Sequence, residues 1–327
     1  MTPTPLYLDC DTGIDDALAL AYLLASPSAE LVGIGSVSGN VSAAVGAVNT
    51  LDLLALAGRP DIPVAVGAHD PLVRAFDGGA PHVHGANGIG GVVLPTSGTA
   101  QMDETAAEML VRLANEYPGE LKVVAIGPLT NIAHALRLEP RLPELVAGIT
   151  LMGGAAMVPG NITPVAEANI ANDPEAAREV LAAPWNVTMV PLDVTMANVL
   201  EEEHRLELLA SENPVARALG EMLGYYYRFY EGIFGRACSA MHDPLAAAVA
   251  LDAVALRTAP VVHAEVDAGN GPGRGQTVCD LRGMHVGYPE QPGAHCRVVL
   301  ELEQDFAPHL MDVLLGRVPA AIGARNS

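Results

Sequence analysis

Two hydrophobic periods alternate along the first two-thirds of the chain. Short continuous apolar runs read as buried strands, and longer ones as helices. "LYLD" (6–9) is the first strand, and "DDALALAYLLAS" (15–26) is a helix that ends near Pro27. "LVGIGSVS" (31–38) is the next strand, "VSAAVGAVNTLDLLALAG" (41–58) the next helix, and "VAVG" (64–67) a short strand. A Gly-, Pro- and His-rich loop follows from Ala68 to Gly98; loops of that length inside a compact fold are usually functional. Then come a helix from Met102 to Tyr117, a strand "LKVVAIG" (121–127), a short helix "TNIAHAL" (130–136) and a strand "GITLMGG" (148–154). A helix "DPEAAREVLAA" (173–183) and a strand "NVTMVPLDV" (186–194) close this section.

This rhythm predicts an α/β fold: a doubly wound, mostly parallel sheet with helices on both faces. The last third changes character. Helical stretches at 201–210 and 213–235 lead into "HDPLAAAVALDA" (242–253). Strand-like segments at 259–268, 275–281 and 295–304 follow, with a final helix from about Pro308. They predict an antiparallel C-terminal extension of the sheet. Neither a linker nor an internal repeat interrupts residues 1–327, so a single domain is expected.

Composition narrows the partners. With 17 basic against 38 acidic residues, the formal charge is −21, and Lys122 is the only lysine. Such a surface repels phosphate backbones and anionic lipid, which argues against nucleic acid or a membrane as partner. The N-terminus has no basic region followed by an apolar one, so no signal peptide is expected and a cytoplasmic protein is the default. Cys10, Cys238, Cys279 and Cys296 form no C-x-x-C pair, which disfavours a thiolate zinc site or a disulfide framework.

Ligands of open α/β sheets bind at the carboxyl ends of the strands. The residues there are almost all oxygen donors: Asp9, Asp11, Asp15 and Asp16 after the first strand, Asn40 after the second, then Thr130, Asn131, Asn161, Glu167 and Asn169. Helix capping accounts for one or two of the four aspartates. It does not account for four like charges in eight positions. Hard oxygen donors converging on one point suit Ca²⁺ or Mg²⁺. The spacing does not fit a D-x-D-x-D-G calcium loop, because Gly13 stands where the third acid belongs and Leu20 where the closing Glu belongs. It fits a haloacid-dehalogenase-type phosphatase poorly, because Thr12 falls one place early for D-x-D-x-T.

"LDCDTGIDDALAL" (8–20) resembles the N-terminal signature D-x-D-P-G-x-D-D-A of the nucleoside hydrolases, with Thr12 in place of Pro. Further matches follow in the family's order: "SGN" (38–40), "HVHGANGIG" (82–90), "GPLTNIA" (127–133), "LMGG" (151–154), "GNITPVAEANIANDPEAA" (160–177), "HDPLAAA" (242–248) and "RGQTVCD" (274–280). The resemblance implies calcium-assisted hydrolysis of the N-glycosidic bond of a ribonucleoside to ribose and free base. It implies Ca²⁺ held by Asp11, Asp16, Asp243 and the backbone carbonyl of Thr130, with Asp11 also the general base and Asp9 supporting the loop. Asp15, Asn40 and Asn169 would face the ribose 2′/3′ side, with Met152 beneath the ring. Asn161 and Glu167 would face the 5′-hydroxyl, and Asp173 is read only as a helix N-cap. "HDPL" occurs at both 69–72 and 242–245; the second copy opens an apolar helix and matches the family position. That makes His242 a candidate acid for the leaving base. His84 matches a base-pocket histidine, with His82 close by. Tyr226 and Tyr230, four apart, share a helix face and either stack on the base, donate a phenol proton or pack in the core. Residues 78–95 and the tyrosine helix would close over the substrate. Purine against pyrimidine preference stays open, as does the choice of His242 or a tyrosine as acid. A homodimer or homotetramer is implied. The alternatives are a phosphatase and a nucleoside-binding protein without catalysis.

Overall fold

The computed structural model describes residues 3–317. Its strands are β1 (Thr4–Cys10), β2 (Ala29–Ser36), β3 (Val64–Val66), β4 (Lys122–Ala125), β5 (Gly148–Met152), β6 (Val187–Val190), β7 (Val199–Glu201), β8 (Cys238–Ala240), β9 (Leu256–Thr258), β10 (Val261–Val262), β11 (Ala264–Val266), β12 (Thr277–Cys279), β13 (Cys296–Val298) and β14 (Glu301–Leu302). Its helices are α1 (Ile14–Ala25), α2 (Ala43–Leu56), α3 (Pro81–His84), α4 (Ala106–Glu116), α5 (Thr130–Leu138), α6 (Leu142–Leu145), α7 (Ala168–Asn172), α8 (Pro174–Ala182), α9 (Leu192–Thr195), α10 (Glu202–Ala210), α11 (Pro214–Phe234), α12 (His242–Ala250) and α13 (Ala307–Leu314).

The main sheet runs β10-β13-β6-β5-β4-β1-β2-β3. All pairings from β13 to β3 are parallel, and only β10 is antiparallel to its neighbour. Strand order therefore reverses between β1 and β4, which opens a crevice at their carboxyl ends. The pleat of β1 separates two cores. Leu6, Leu8 and Cys10 pack with α1, α2, α11, α12 and α13, whereas Tyr7 packs with α4, α5 and α8 on the other face. Helix α1 is buried from Ile14 through Leu23, which is why its sequence is apolar all round.

The C-terminal third differs in detail from the sequence expectation. β13 enters parallel to β6, and the antiparallel pairing is carried by β10 and by separate two-stranded sheets β11-β12, β14-β9 and β7-β8. The strand expected over 186–194 stops at Val190. Pro191 cannot donate a ladder bond, and Leu192–Thr195 turns helical instead. The helix expected from Met102 starts at Ala106, where Thr105 and Glu108 form a capping box.

Candidate active site

The residues after β1 are drawn into a tight acidic turn. Asp16, at the start of α1, accepts the Asp11 and Gly13 backbone N–H groups at 3.1 and 2.8 Å, so it closes the turn on its own helix. The Asn40 amide donates to Asp16 Oδ2 at 3.1 Å, and the Asn40 backbone N–H donates to Asp11 Oδ2 at 2.6 Å. Asp11 is held between two glycine backbones. A Cβ on Gly39 would lie 2.0 Å from Asp11 Oδ2, and one on Gly127 would lie 2.9 Å from Oδ1. This is why "SGN" and "GPL" need glycine where they do: no side chain fits beside that carboxylate.

Asp15, Asp16 and Asp243 each present a carboxylate oxygen, and the three lie within 4.8 Å of one another. All are buried. Burial pushes the carboxyls of Asp11 and Asp243 well above the usual range, and their acidic neighbours (first Asp16 for Asp11, first Asp15 for Asp243) push them further. Burial and then Asp15 raise Asp16 in the same way. Asp11 Oδ1 and Asp15 Oδ1 are buried without a hydrogen-bond partner. Crowded carboxylates with unpartnered oxygens are a site short of positive charge, and a divalent ion taking oxygen ligands supplies it.

A cleft of about 240 Å³ opens above this cluster. It is lined by Asp15, Asn40, His84, Ile126, Met152, Asn161, Glu167, Asn169, Tyr226, Tyr230, His242 and Asp243, together with apolar Val83, Met196, Phe229 and Ile233. One wall comes from α7. Glu167 caps it, taking the Asn169 N–H at 2.9 Å, the Ile170 N–H at 3.2 Å and the Gly154 N–H at 2.9 Å. Burial still raises its carboxyl to about 7. The Asn169 amide donates to the Ile126 and Met152 carbonyls at 2.8 and 3.0 Å, which leaves its Oδ1 as the acceptor facing the cleft. Asn161 accepts the Ala168 N–H at 3.0 Å and is otherwise exposed.

The opposite wall is aromatic. Tyr226 donates to Asp15 Oδ2 at 2.9 Å, and its ring meets those of His84 and Tyr230 at centroid distances of 5.3 and 4.9 Å. His84 Nδ1 accepts the Ile14 N–H at the first turn of α1, at 3.1 Å. It is therefore the Nε2–H tautomer, and burial depresses its pKa so that it stays neutral. The 3.9 Å approach to Asp15 is not an ion pair. Tyr230 and His242 Nε2 are 2.6 Å apart, and His242 Nδ1 lies 2.8 Å from Thr195 Oγ1.

Several expectations change on this geometry. The convergent trio contains Asp15, where Asp11 was expected; Asp11 is turned toward Gly39 and Gly127. Thr130 does not line the cleft. It is the first residue of α5, so its carbonyl points along the helix and away from the helix's N-terminal end, and its hydroxyl donates to Asp173 at 2.7 Å. Ile126, just after β4, does line the cleft, and its carbonyl accepts from the Asn169 amide at 2.8 Å. Asn40 holds Asp11 and Asp16 in place, so its amide is already engaged. Asp173 is an N-cap as expected, for Ala176 at 3.1 Å, and it also takes the Thr130 hydroxyl and the Leu72 N–H at 2.9 Å. Asp9 and Asp11 part company. Asp9 turns to the α5 face, where Tyr7 and Asn131 donate to its Oδ1 at 3.1 and 2.9 Å, while Asp11 lies beyond the strand end. The "HDPL" at 69–72 stays in a loop, and the one at 242–245 opens α12 into the cleft.

The chain resembles known proteins in sequence and in fold. The sequence model of a family described as "Inosine-uridine preferring nucleoside hydrolase" matches residues 6–307. The chain is 35% identical over 306 residues to an inosine-uridine preferring nucleoside hydrolase of Crithidia fasciculata, covering 93% of this chain and 94% of that one. It is 37% identical over 243 residues to uridine nucleosidase 1 of Arabidopsis thaliana, covering 73% and 71%. Its fold superposes with a TM-score of 0.85 on a purine-preferring ribonucleoside hydrolase from Gardnerella vaginalis, at 33% identity, over 96% of this chain and 97% of that one.

Proposed function

The chain belongs to the inosine-uridine preferring nucleoside hydrolase family and is a ribonucleoside hydrolase, and from that premise we propose how its cleft performs the reaction. The observation that carries the reading is that one cleft is lined both by Asp15 and Asp243 of the acidic cluster and by the Tyr230–His242 pair with apolar Phe229 and Ile233. A ribose fits between them, with its base toward the aromatic wall.

Ca²⁺ is the ion proposed for the cluster, held by Asp16 and Asp243 with Asp11 and the Ile126 carbonyl. When bound it orients sugar hydroxyls and water and makes that water easier to deprotonate. Asp15, the third of the trio, and Asn169 Oδ1 then accept from the ribose 2′/3′ hydroxyls. Asn161 and Glu167 meet the 5′ side, and Met152 lies under the ring. Asp11 takes the proton of the attacking water at its unpartnered Oδ1. The C1′–N bond breaks with its electron pair going to the base, the water oxygen bonds C1′, and the base gains a proton from the Tyr230–His242 pair. Solvent then removes the proton from Asp11 and restores the one lost at the aromatic wall. Relatives named for inosine, uridine and purines span both base classes, so the substrate set proposed is ribonucleosides in general.

The test is reducing-sugar release from uridine, cytidine, inosine, adenosine and guanosine, with a chelator and after Ca²⁺ is restored. Release that disappears with the chelator and returns with Ca²⁺ supports the reading. Undiminished release in chelator would remove the ion from it.

A further inference from the structure

His242 lines the cleft and sits between two hydroxyls, and a hydroxyl can donate or accept. The ring therefore has two neutral arrangements, and they send the Tyr230 proton in opposite directions. If Nδ1 carries the hydrogen, Thr195 Oγ1 accepts it and Nε2 accepts the Tyr230 O–H. The phenol proton then points away from the cleft. If Nε2 carries it, Tyr230 accepts at oxygen, and its own O–H is free to turn into the cleft.

Resting on the nucleoside-hydrolase reading above, we propose that Thr195 is a positioning residue. Its hydroxyl donates to His242 Nδ1, fixes the Nε2–H tautomer, and thereby makes the Tyr230 O–H the donor to the leaving base. The argument is one of hydrogen-bond satisfaction. Thr195 is fully buried, and His242 Nδ1 is the one partner its hydroxyl has among the described residues. The usual alternative for a helical threonine is a carbonyl one turn back. Here that is the Pro191 carbonyl, which already accepts the Val194 and Thr195 N–H groups, both at 3.2 Å. In the Nδ1–H arrangement the threonine proton would be a buried donor without an acceptor, which folded proteins rarely tolerate. In the Nε2–H arrangement every proton of the chain Thr195–His242–Tyr230 has an acceptor or faces the cleft. Thr195 is itself held firmly. It ends α9, whose Asp193 takes the Ala156 and Met157 N–H groups at 2.8 Å each, so the hydroxyl is tied to the loop after β5.

The experiment compares the wild type with T195V and T195S. Valine keeps the branched shape and removes the hydroxyl; serine keeps the hydroxyl. Nitrogen-15 NMR of the imidazoles, with His242 assigned by its loss in H242N, reads the tautomer without reference to activity. Kinetics are read on uridine, whose base needs a proton to leave, and on p-nitrophenyl β-D-riboside, whose phenolate does not. The expected result is an Nε2–H imidazole in the wild type and a mixture of both tautomers in T195V, because valine offers Nδ1 neither a donor nor an acceptor. Uridine kcat should fall in T195V in proportion to the Nε2–H fraction lost, toward the roughly 100-fold that complete loss of the acid would give. KM and p-nitrophenyl riboside turnover should stay within about twofold, and T195S should restore both tautomer and uridine kcat. An Nδ1–H ring in the wild type overturns the proposal, as does an unchanged tautomer in T195V or an equal loss on both substrates. Should the wild type cleave neither substrate, the hydrolase reading fails while the NMR result still decides the role of Thr195.

Discussion

Removing the divalent ion should reverse the ordinary pH dependence of stability. Glu167 and Asp9 are fully buried, and burial carries both carboxyls to about 7 in the folded chain. Unfolded, they titrate at about 4. Folded pKa values above the unfolded ones mean that, between these limits, the native state holds protons the unfolded state has released. The stabilisation is complete below the unfolded pKa and is lost as pH rises through about 7. From pH 5.5 to 7 that span is worth about 2 kcal/mol for one such carboxyl at 1.36 kcal/mol per pH unit. Two independent ones would give about 4. Asp11, Asp16 and Asp243, raised by the same burial and by each other, add in the same direction.

In chelator, Tm should therefore fall by at least a few degrees between pH 5.5 and 8, taking about 2–4 °C per kcal/mol for a large domain. Ca²⁺ should act oppositely. Its ligands must be ionised, so binding strengthens as pH rises. At about 100 times Kd, the ion adds about 2.7 kcal/mol. The gap between the Ca²⁺ and chelator melting curves should be smallest at pH 5.5 and widest near pH 8, read by differential scanning fluorimetry. A gap that does not change with pH would refute the claim that the cluster lacks positive charge, and a chelated protein that grows more stable toward pH 8 would refute the raised carboxyls of Asp9 and Glu167.

Asp173→Ala should cost about 3 kcal/mol or more in urea unfolding, because it removes an N-cap and leaves the Thr130 hydroxyl and Leu72 N–H without acceptors. Tyr226→Phe should lower kcat/KM for uridine about 10- to 100-fold, since the hydroxyl lost is the donor to Asp15 at 2.9 Å and a hydrogen bond to a charged group is worth about 1.5–3 kcal/mol. Asp11→Asn should lower kcat about 10²- to 10⁴-fold in the presence of Ca²⁺, and near-normal turnover would remove Asp11 as base. Replacing uridine by 2′-deoxyuridine should cut kcat/KM by about 10³ or more, because Asp15 and Asn169 would face an empty position.

The strands and helices that position the cleft were legible because each buried segment has one dominant period. The site was legible where chemistry is carried by unusual local density, as in the four aspartates of residues 9–16. It was misread where the main chain decides the direction of an atom. Asp9 and Asp11 are two apart, and a strand would show both on one face, but β1 ends at Cys10, so the pleat no longer governs Asp11. Thr130 and Ile126 both lie in "IGPLT", and only the start of α5 tells that the Thr130 carbonyl runs along the helix. Thr195 gave no signal. It is one polar position in an apolar run, and its meaning depends on a histidine 47 residues away.

The loop from 68 to 98 shows what physical detail adds to a correct location. Its length and composition marked it as functional, and residues 78–95 with the tyrosine helix were expected to close over the substrate. Its central part is fastened to the turn after β1. The Ile14 N–H donates to His84 at 3.1 Å, and the Asn49 amide bridges the Thr12 and Asn87 carbonyls at 3.1 and 2.9 Å. The Ala80 N–H donates to the Asn40 carbonyl at 2.9 Å, and Tyr225 donates to that of Pro81 at 3.0 Å. These bonds tie the wall that carries His84 to the residues that hold Asp11 and Asp16, so the distance between acidic cluster and aromatic wall is set before substrate arrives. The facing edge is different: Asn161 and Ile162 are exposed, and the backbone bonds of residues 160–163 run only to Pro164 and Ala166. A site that must place a sugar within hydrogen-bond reach of both walls gains most from rigidity around the groups proposed as acid and base.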